Sequence, residues 1–222
     1  MKRLIVMFVG TCLFALTAAA QTGISQEEQR SLDKKLLTAI TFDDVESVQK
    51  YIEQGANVQA KTSMKLGIPD SIMDSALMLA VKYGSMESAK ILIKHGAEVN
   101  GPTWKSLVTS NSPLIEAVKR NNMGIAQLLI EQGADVNKQG NNGMTALMYA
   151  AKVGSTELAR LLIKKEADIN LENQYGQTAM DLAKTFHHSE VVSVILQEST
   201  KQKFLNEQAK SDIAKIKLAL SK

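Results

Sequence analysis

Apolar residues follow a helical spacing in short blocks along most of the chain. In residues 138–170 one apolar run begins after Thr145, Gly154 interrupts it, and a second run covers residues 158–163. This pattern predicts two short amphipathic helices joined by a tight reversal. Neither helix could bury its apolar face alone, so such a unit needs packed neighbours.

The same block recurs along the chain in register. A Ser or Thr before an apolar run opens the first helix of four units, at Ser75, Ser112, Thr145 and Thr178. The last three are each 33 residues apart. A short loop also recurs after the second helix, at Gly55-Ala56, Gly96-Ala97, Gly133-Ala134 and Glu166-Ala167. The two sets of anchors indicate an internal repeat.

This repeat resembles the ankyrin repeat, whose units contain a Thr-Pro-Leu-His turn and a Gly-Ala-Asp loop at similar spacing. The resemblance covers residues 32–198 and implies an all-α solenoid of about five helix-turn-helix units. Short β-hairpin-like fingers would connect the units. The units are expected at 32–60, 74–100, 111–137, 144–170 and 177–198.

One position in the repeat gives an independent physical check. The residues at the break between the two helices are Asp43, Gly84, Asn121, Gly154 and His187. Gly adopts a positive φ freely, and Asn, Asp and His tolerate it better than other residues do. We therefore predict a left-handed residue at each break. By the same reasoning Asn should be tolerated at position 154, whereas a β-branched residue should not.

Residues 1–20 have the layout of a secretory signal peptide. Lys2 and Arg3 precede an uncharged apolar run, and small residues up to Ala20 follow it. The alternative is an uncleaved anchor, but the run is shorter than the ~20 residues that a spanning helix needs. We expect cleavage after Ala20 and a periplasmic or secreted bacterial protein. Cleavage would remove Cys12, the only Cys, and exclude disulfides and thiol chemistry.

The two ends of the repeat region have their own character. Residues 21–31 form a polar lead-in in which Ser25 and Glu28 could make a capping box. Residues 199–222 have apolar residues at helical spacing and an excess of Lys, which predicts a basic amphipathic helix. That helix could close the open end of the array, or it could bind a partner or an anionic membrane surface.

No pattern of catalytic residues stands out, so we predict that the protein is not an enzyme and has no cofactor. The closest approach to a metal motif is His187-His188 with Glu190. The repeat register accounts for it, because His187 takes the place of Gly154. After loss of Lys2 and Arg3, the 26 basic residues become 24 against 23 acidic ones. This balance gives no reason to expect nucleic-acid binding.

The resemblance implies a protein-binding role, since ankyrin repeats bind other proteins through a concave face of first helices and finger tips. The register places a first row of that face at Leu79, Glu116, Tyr149 and Leu182. The adjacent rows contain Lys82, Lys119 and Lys152, and then Tyr83, Arg120 and Phe186. The second finger adds Trp104 and Lys105. We expect a monomer that binds a protein with an acidic patch.

Three functions are compatible with these patterns. The first is a non-catalytic binding protein outside the cytoplasm, such as an enzyme inhibitor, an immunity protein or an accessory subunit. The second is an assembly protein of the cell envelope, anchored through the C-terminal helix, which offers the only expected membrane contact. The third, an enzyme, would require a cluster of polar residues that the sequence does not mark out.

Overall fold

The computed structural model describes residues 25–62, 74–101 and 111–220. The predicted signal peptide, most of the first long finger, and the second finger with Trp104 and Lys105 lie outside the described residues. The chain divides into two compact units, Met1–Glu98 and Val99–Lys222. Both units are built from helices, and the described residues contain no strand, which confirms the all-α class.

The first unit contains two helix pairs. Its helices are α1 (Gln26–Thr41), α2 (Val45–Glu53), α3 (Ala76–Tyr83) and α4 (Met86–Lys94). α1 packs on α2 and on α3, and α4 packs on α3 and α2. Aliphatic side chains fill the space between the helices, and Leu36, Ile40 and Leu92 are fully buried. The helical pairs therefore bury together the faces that neither helix could bury alone.

The second unit contains three helix pairs. Its helices are α5 (Pro113–Lys119), α6 (Met123–Glu131), α7 (Ala146–Val153), α8 (Thr156–Lys164), α9 (Ala179–Thr185) and α10 (Ser189–Leu220). A short 3-10 turn, Asn141–Gly143, precedes α7. The first helices α5, α7 and α9 stack in sequence order. Ser112, Thr145 and Thr178 cap them by accepting a hydrogen bond from a backbone N–H of the first turn.

The reversal inside each helix pair confirms the prediction of left-handed residues. All five break residues have positive φ: Asp43 55°, Gly84 76°, Asn121 54°, Gly154 77° and His187 61°. In every pair the next residue donates its N–H to the carbonyl oxygen of an Ala five residues earlier. These bonds join Asp44 to Ala39, Ser85 to Ala80, Asn122 to Ala117, Ser155 to Ala150 and His188 to Ala183. A left-handed residue is what allows this closing bond to form.

Side-chain amides tie the loop of one repeat to the loop of the next. In the first unit the Gln59 amide donates to the Gly96 carbonyl oxygen at 2.8 Å and accepts from the Glu98 N–H at 3.3 Å. In the second unit Asn100 and Asn137 make the same pair of bonds to the loops at residues 133–135 and 166–168. These bonds satisfy the polar groups of loops that helix packing alone would leave unpaired.

The N-terminal end differs from the expected boundary. Ser25 and Glu28 do form a capping box, but it opens α1, so residues 26–31 belong to the first helix rather than to a separate lead-in. Gln29 and Asp33 of α1 then hold the first loop through the Gly55 carbonyl oxygen and the Asn57 N–H. The long first helix thus supplies the loop contacts that a preceding repeat would otherwise provide.

The C-terminal end also differs from the expectation. Residues 189–220 form one helix of 32 residues, so the tail is a continuation of the second helix of repeat five and not a separate element. Beyond Glu198 the described side chains of Thr200, Lys201 and Phe204 are exposed. The described side chains of the tail therefore give no support to the expectation that it covers repeat five. No helix in the described part of the chain is both long and apolar enough to cross a membrane.

The fingers that the structure describes are short turns. An isolated antiparallel bridge between Lys61 and Ser75 closes the base of the first. In the second unit, Gly140 donates its N–H to the Met144 carbonyl oxygen, and Asn173 donates to that of Gln177. These contacts are hairpin-like, as the repeat pattern implied.

Candidate protein-binding surface

The exposed apolar side chains of the described residues concentrate at one position of the repeat. Eight large ones are exposed, and four of them precede a break residue at the end of a first helix: Phe42, Tyr83, Val153 and Phe186. Arg120 takes this position in repeat three, and its side chain is 46% exposed. We call Phe42, Tyr83, Arg120, Val153 and Phe186 the helix-end residues.

The exposure of these side chains has no explanation in packing. Phe42 is 78% exposed and Tyr83 is 57% exposed, so neither contributes much to its own core. Isolated exposed apolar residues are common and need no explanation. Recurrence at one register position of the repeat is different, because within each unit the residues at one position of stacked helices lie on the same face. Within the second unit, Arg120, Val153 and Phe186 therefore share one face of the stack α5–α7–α9.

The first row of the predicted face is a correction. Leu79, Glu116 and Leu182 were expected to point outwards, but they are only 7%, 5% and 5% exposed. First helices are enclosed over most of their length: α3 is buried at six of its eight residues and α5 at six of its seven. In α3 and α5 only the last turn emerges, which is why exposure there is found at the helix end.

The predicted row of lysines is divided. Lys82, in the first unit, is partly buried and forms an ion pair with Asp74 at 2.7 Å. Lys119 and Lys152, in the second unit, are exposed. Lys152 extends over Phe186, with its Nζ 5.6 Å from the ring centroid. Tyr149, one helical turn before Val153, is partly buried.

Glu116 links two of the cations in the second unit. Arg120 donates from Nε to Oε1 of Glu116 at 2.8 Å, and Lys119 Nζ lies 3.7 Å from Oε2. The carboxylate side chain is 6% exposed, whereas the two cationic side chains are about half exposed. The acid is thus under the surface, and the cations are on it.

The first helices of the second unit carry an excess of positive charge. Together with the residue that follows each helix, α5, α7 and α9 contain four basic side chains: Lys119, Arg120, Lys152 and Lys184. They contain two acidic side chains, Glu116 and Asp181. Hydrogen bonds from the Thr178 hydroxyl and N–H hold the pKa of Asp181 below its usual value, so this carboxylate is charged at neutral pH.

His187 and His188 have structural roles. His187 is the left-handed break residue, and the Nε2 atom of His188 lies 3.2 Å from the Lys152 carbonyl oxygen. The part of the chain that the structure describes contains no group of three His, Cys, Asp or Glu residues able to hold a metal ion.

Comparison with known families agrees with this architecture. A family model described as "Ankyrin repeats (3 copies)" matches residues 36–140 and again residues 114–206.

The chain belongs to the ankyrin repeat family.

No curated protein matches the chain. Ankyrin repeats are generally protein–protein interaction modules, and the family is typically non-catalytic.

Sequence reasoning missed two exposed aromatic residues of this ankyrin repeat protein. Phe42 precedes Asp43 as Phe186 precedes His187, so the register contained the signal. Tyr175 is 70% exposed on the last finger. The Asn173 Oδ1 atom fixes that finger by accepting from the N–H groups of Tyr175 at 2.9 Å and Gln177 at 3.0 Å. A fixed turn that presents a Tyr is a suitable contact point for a protein.

Proposed function

We propose that this ankyrin repeat protein is a non-catalytic binding module that acts outside the cytoplasm and binds an acidic protein through its helix-end residues. The observation that carries the proposal is that, of the eight large apolar side chains exposed in the described part of the chain, four occupy one position of the repeat. Folding alone gives no reason for that repetition.

The composition of the surface indicates the chemistry of the partner. Exposed Phe and Tyr side chains supply large contact area at low cost in conformational entropy, and such residues dominate binding energy at interfaces. The second unit adds the exposed cations Arg120 and Lys119, and Lys152 next to Phe186. Cations at this density favour a partner with carboxylates, chiefly by accelerating association.

The sequence at the N-terminus supports the place of action. Lys2 and Arg3, an apolar run and Ala18–Ala20 occur in the order of a secretory signal. An exported binding module could be an enzyme inhibitor, an immunity protein or an accessory subunit. Mass spectrometry of the exported protein should find Gln21 as the first residue, and an intact Met1 would contradict export by this route.

The envelope-assembly alternative has one observation in its favour. The helix α10 continues for 22 residues after Glu198, about 33 Å at the rise of an α-helix, and Phe204 on it is 65% exposed. A projecting helix of this length could attach the protein to another envelope component.

Site-specific photocrosslinking in cells tests the surface. A photoreactive phenylalanine analogue at Phe42 or Tyr83 in the first unit, or at Phe186 in the second, should crosslink a protein partner. Met123 is the matched control, because it is 38% exposed but starts the second helix α6. Crosslinks from Met123 as strong as those from Phe42, or none from the helix-end residues, would contradict the proposal. Phe42→Ala and Phe186→Ala should also reduce recovery of the partner, while Met123→Ala should not.

A further inference from the structure

Repeat three differs from the other repeats at two linked positions. Its helix-end residue is Arg120, where the other repeats have apolar residues. Four residues earlier it has Glu116, where repeats two and five have Leu79 and Leu182. The substitutions occur together in one helix, and the two side chains bond each other at 2.8 Å.

The acid is not needed to pack the helix. Leu79 and Leu182 occupy the same position and are 7% and 5% exposed, close to the 5% of Glu116. An aliphatic residue therefore fits this environment. A buried carboxylate loses hydration, and ion pairs of this kind are often no more stabilising than apolar residues of similar volume. Stability of α5 alone gives little reason for an acid here.

The contacts of Glu116 instead determine where two surface cations lie. Oε1 accepts from Arg120 Nε, and Oε2 attracts Lys119 Nζ at 3.7 Å. In the described part of the chain the guanidinium of Arg120 has no other hydrogen-bonding partner. Its Nη1 and Nη2 groups are the two parallel donors that bind a carboxylate bidentately.

We infer that Glu116 is a positioning residue, which from beneath the surface holds the exposed Arg120 and Lys119 so that they present a preformed binding site for a carboxylate side chain of the partner protein. This inference rests on the proposed function, because it assumes an acidic partner. Restricting Arg120 in the free protein lowers the entropy lost when a partner binds. Glu116 then acts through the cations and does not contact the partner.

Replacing Glu116 should change the affinity for an acidic ligand in the direction opposite to that expected from charge alone. Glu116→Leu removes a negative charge next to the site, which on charge alone would strengthen the binding of an acidic ligand. If orientation is the role of Glu116, the same change weakens binding, because Arg120 and Lys119 lose their fixed positions. Leu is the right substitute, since the fold accepts it at positions 79 and 182. A Glu116→Gln variant provides a second, nearly isosteric test if Leu disturbs the fold.

The experiment uses the full mature chain and an amidated octa-glutamate peptide as the probe, with an octa-serine peptide as the reference. Affinity is measured by NMR titration at low salt, and the Arg120 Nε–H signal reports the orientation of the guanidinium directly. We expect the probe to shift the signals of Arg120 and Lys119. Glu116→Leu should melt at the wild-type temperature or above, broaden or lose a distinct Arg120 Nε–H signal, and bind the probe about fivefold more weakly.

Two control variants separate charge from orientation. Glu172→Gln removes one exposed negative charge from the same unit without touching either cation, so it should bind the probe as well as the wild type or slightly better. Arg120→Lys keeps the charge but loses the planar donor pair, so it should weaken binding as Glu116→Leu does.

The outcomes distinguish this inference from the proposed function. The positioning role is supported if Glu116→Leu binds the probe more weakly than the wild type while Glu172→Gln binds it as well or slightly better. Equal or tighter binding by Glu116→Leu overturns the positioning role but leaves an acidic partner in place. Wild-type protein that binds octa-glutamate no better than octa-serine overturns the acidic partner itself.

Discussion

The imidazole of His188 occupies the space that a side chain at Gly154 would require. A Cβ atom on Gly154 would lie 2.5 Å from Nδ1 and 2.6 Å from Cε1 of this ring. The ring is held in place because Nε2 lies 3.2 Å from the Lys152 carbonyl oxygen. Two constraints therefore favour Gly at position 154: its φ of 77° and the His188 ring from repeat five. Tolerance of Asn at this position, which φ alone predicted, is not compatible with the second constraint.

The first prediction concerns this contact. Gly154→Ala and Gly154→Asn should both destabilise the protein by about 2–3 kcal/mol, through backbone strain and through displacement of the ring. In the double variant Gly154→Ala with His188→Ala, the part of the destabilisation that comes from displacing the ring disappears. The two changes should therefore cost less together than the sum of their separate effects, as a thermal double-mutant cycle can show.

A second glycine provides the control for that experiment. Gly96 also has a positive φ, 87°, but an added Cβ there would meet no atom within 4 Å. Gly96→Ala should thus show the backbone strain alone, about 1 kcal/mol. Equal losses of stability at positions 96 and 154 would show that the His188 ring moves aside without cost.

The second prediction concerns a buried hydroxyl. Ser88 is fully buried, and its Oγ has no hydrogen-bonding partner in the structure. Ile125, Leu158 and Val191 fill the same register position in other repeats. Because an unpaired buried hydroxyl is costly, Ser88→Ala should raise the free energy of unfolding by about 1 kcal/mol beyond the effect of helix propensity. Ser31→Ala measures that propensity, since Ser31 is exposed in the interior of α1. Chemical denaturation that gives equal gains for both variants would show that the Ser88 hydroxyl carries no penalty.

Several features of the fold could be read from the sequence because they follow from local backbone physics. The break residues Asp43, Asn121 and His187 are left-handed because their residue types tolerate positive φ, and no long-range information was needed to predict it. The helix pairs follow from the apolar spacing in the same way. The unbroken helix through Glu198 was missed because the apolar spacing of residues 199–222 was treated as a separate helix, although no Gly or Pro interrupts the chain there.

The surface was harder to predict than the fold. The prediction that Leu79 and Leu182 point outwards was wrong. The exposure of a residue depends on how many neighbouring helices enclose its own helix, whereas apolar periodicity indicates only one buried face. The pairing of Lys82 with Asp74 joins two residues on either side of a helix start, and repeat register does not show such a pair. Phe42 was missed although register would have found it, since the row of residues before the break was followed only from Tyr83 onwards.

The third prediction concerns Glu166, which occupies the place of Gly55, Gly96 and Gly133 in the other loops. Its φ is 65°, a left-handed conformation that costs a residue with a side chain about 1 kcal/mol. Glu166→Gly should therefore stabilise the protein by roughly 0.5–1 kcal/mol. Arg160→Gly, at an exposed position in the interior of α8, is the control and should destabilise by about 1 kcal/mol. A fall in melting temperature for Glu166→Gly would mean that its side chain makes a contact of greater value than the strain.

The last prediction concerns the helical extension after Glu198. The buried contacts of α10 come from its first part, where Val191, Val194 and Ile195 are 5% exposed or less. From Thr200 on, the described side chains, including Phe204, are exposed. A chain that ends at Thr200 should therefore unfold within about 0.5 kcal/mol of the full chain, as expected for changes at a surface. Val194→Ala, which removes a buried contact of the same helix, should cost about 2 kcal/mol. If the extension serves envelope attachment, the truncated protein should lose co-sedimentation with the membrane fraction while its melting temperature stays unchanged. A large loss of stability on truncation would instead restore the interpretation that the extension covers repeat five.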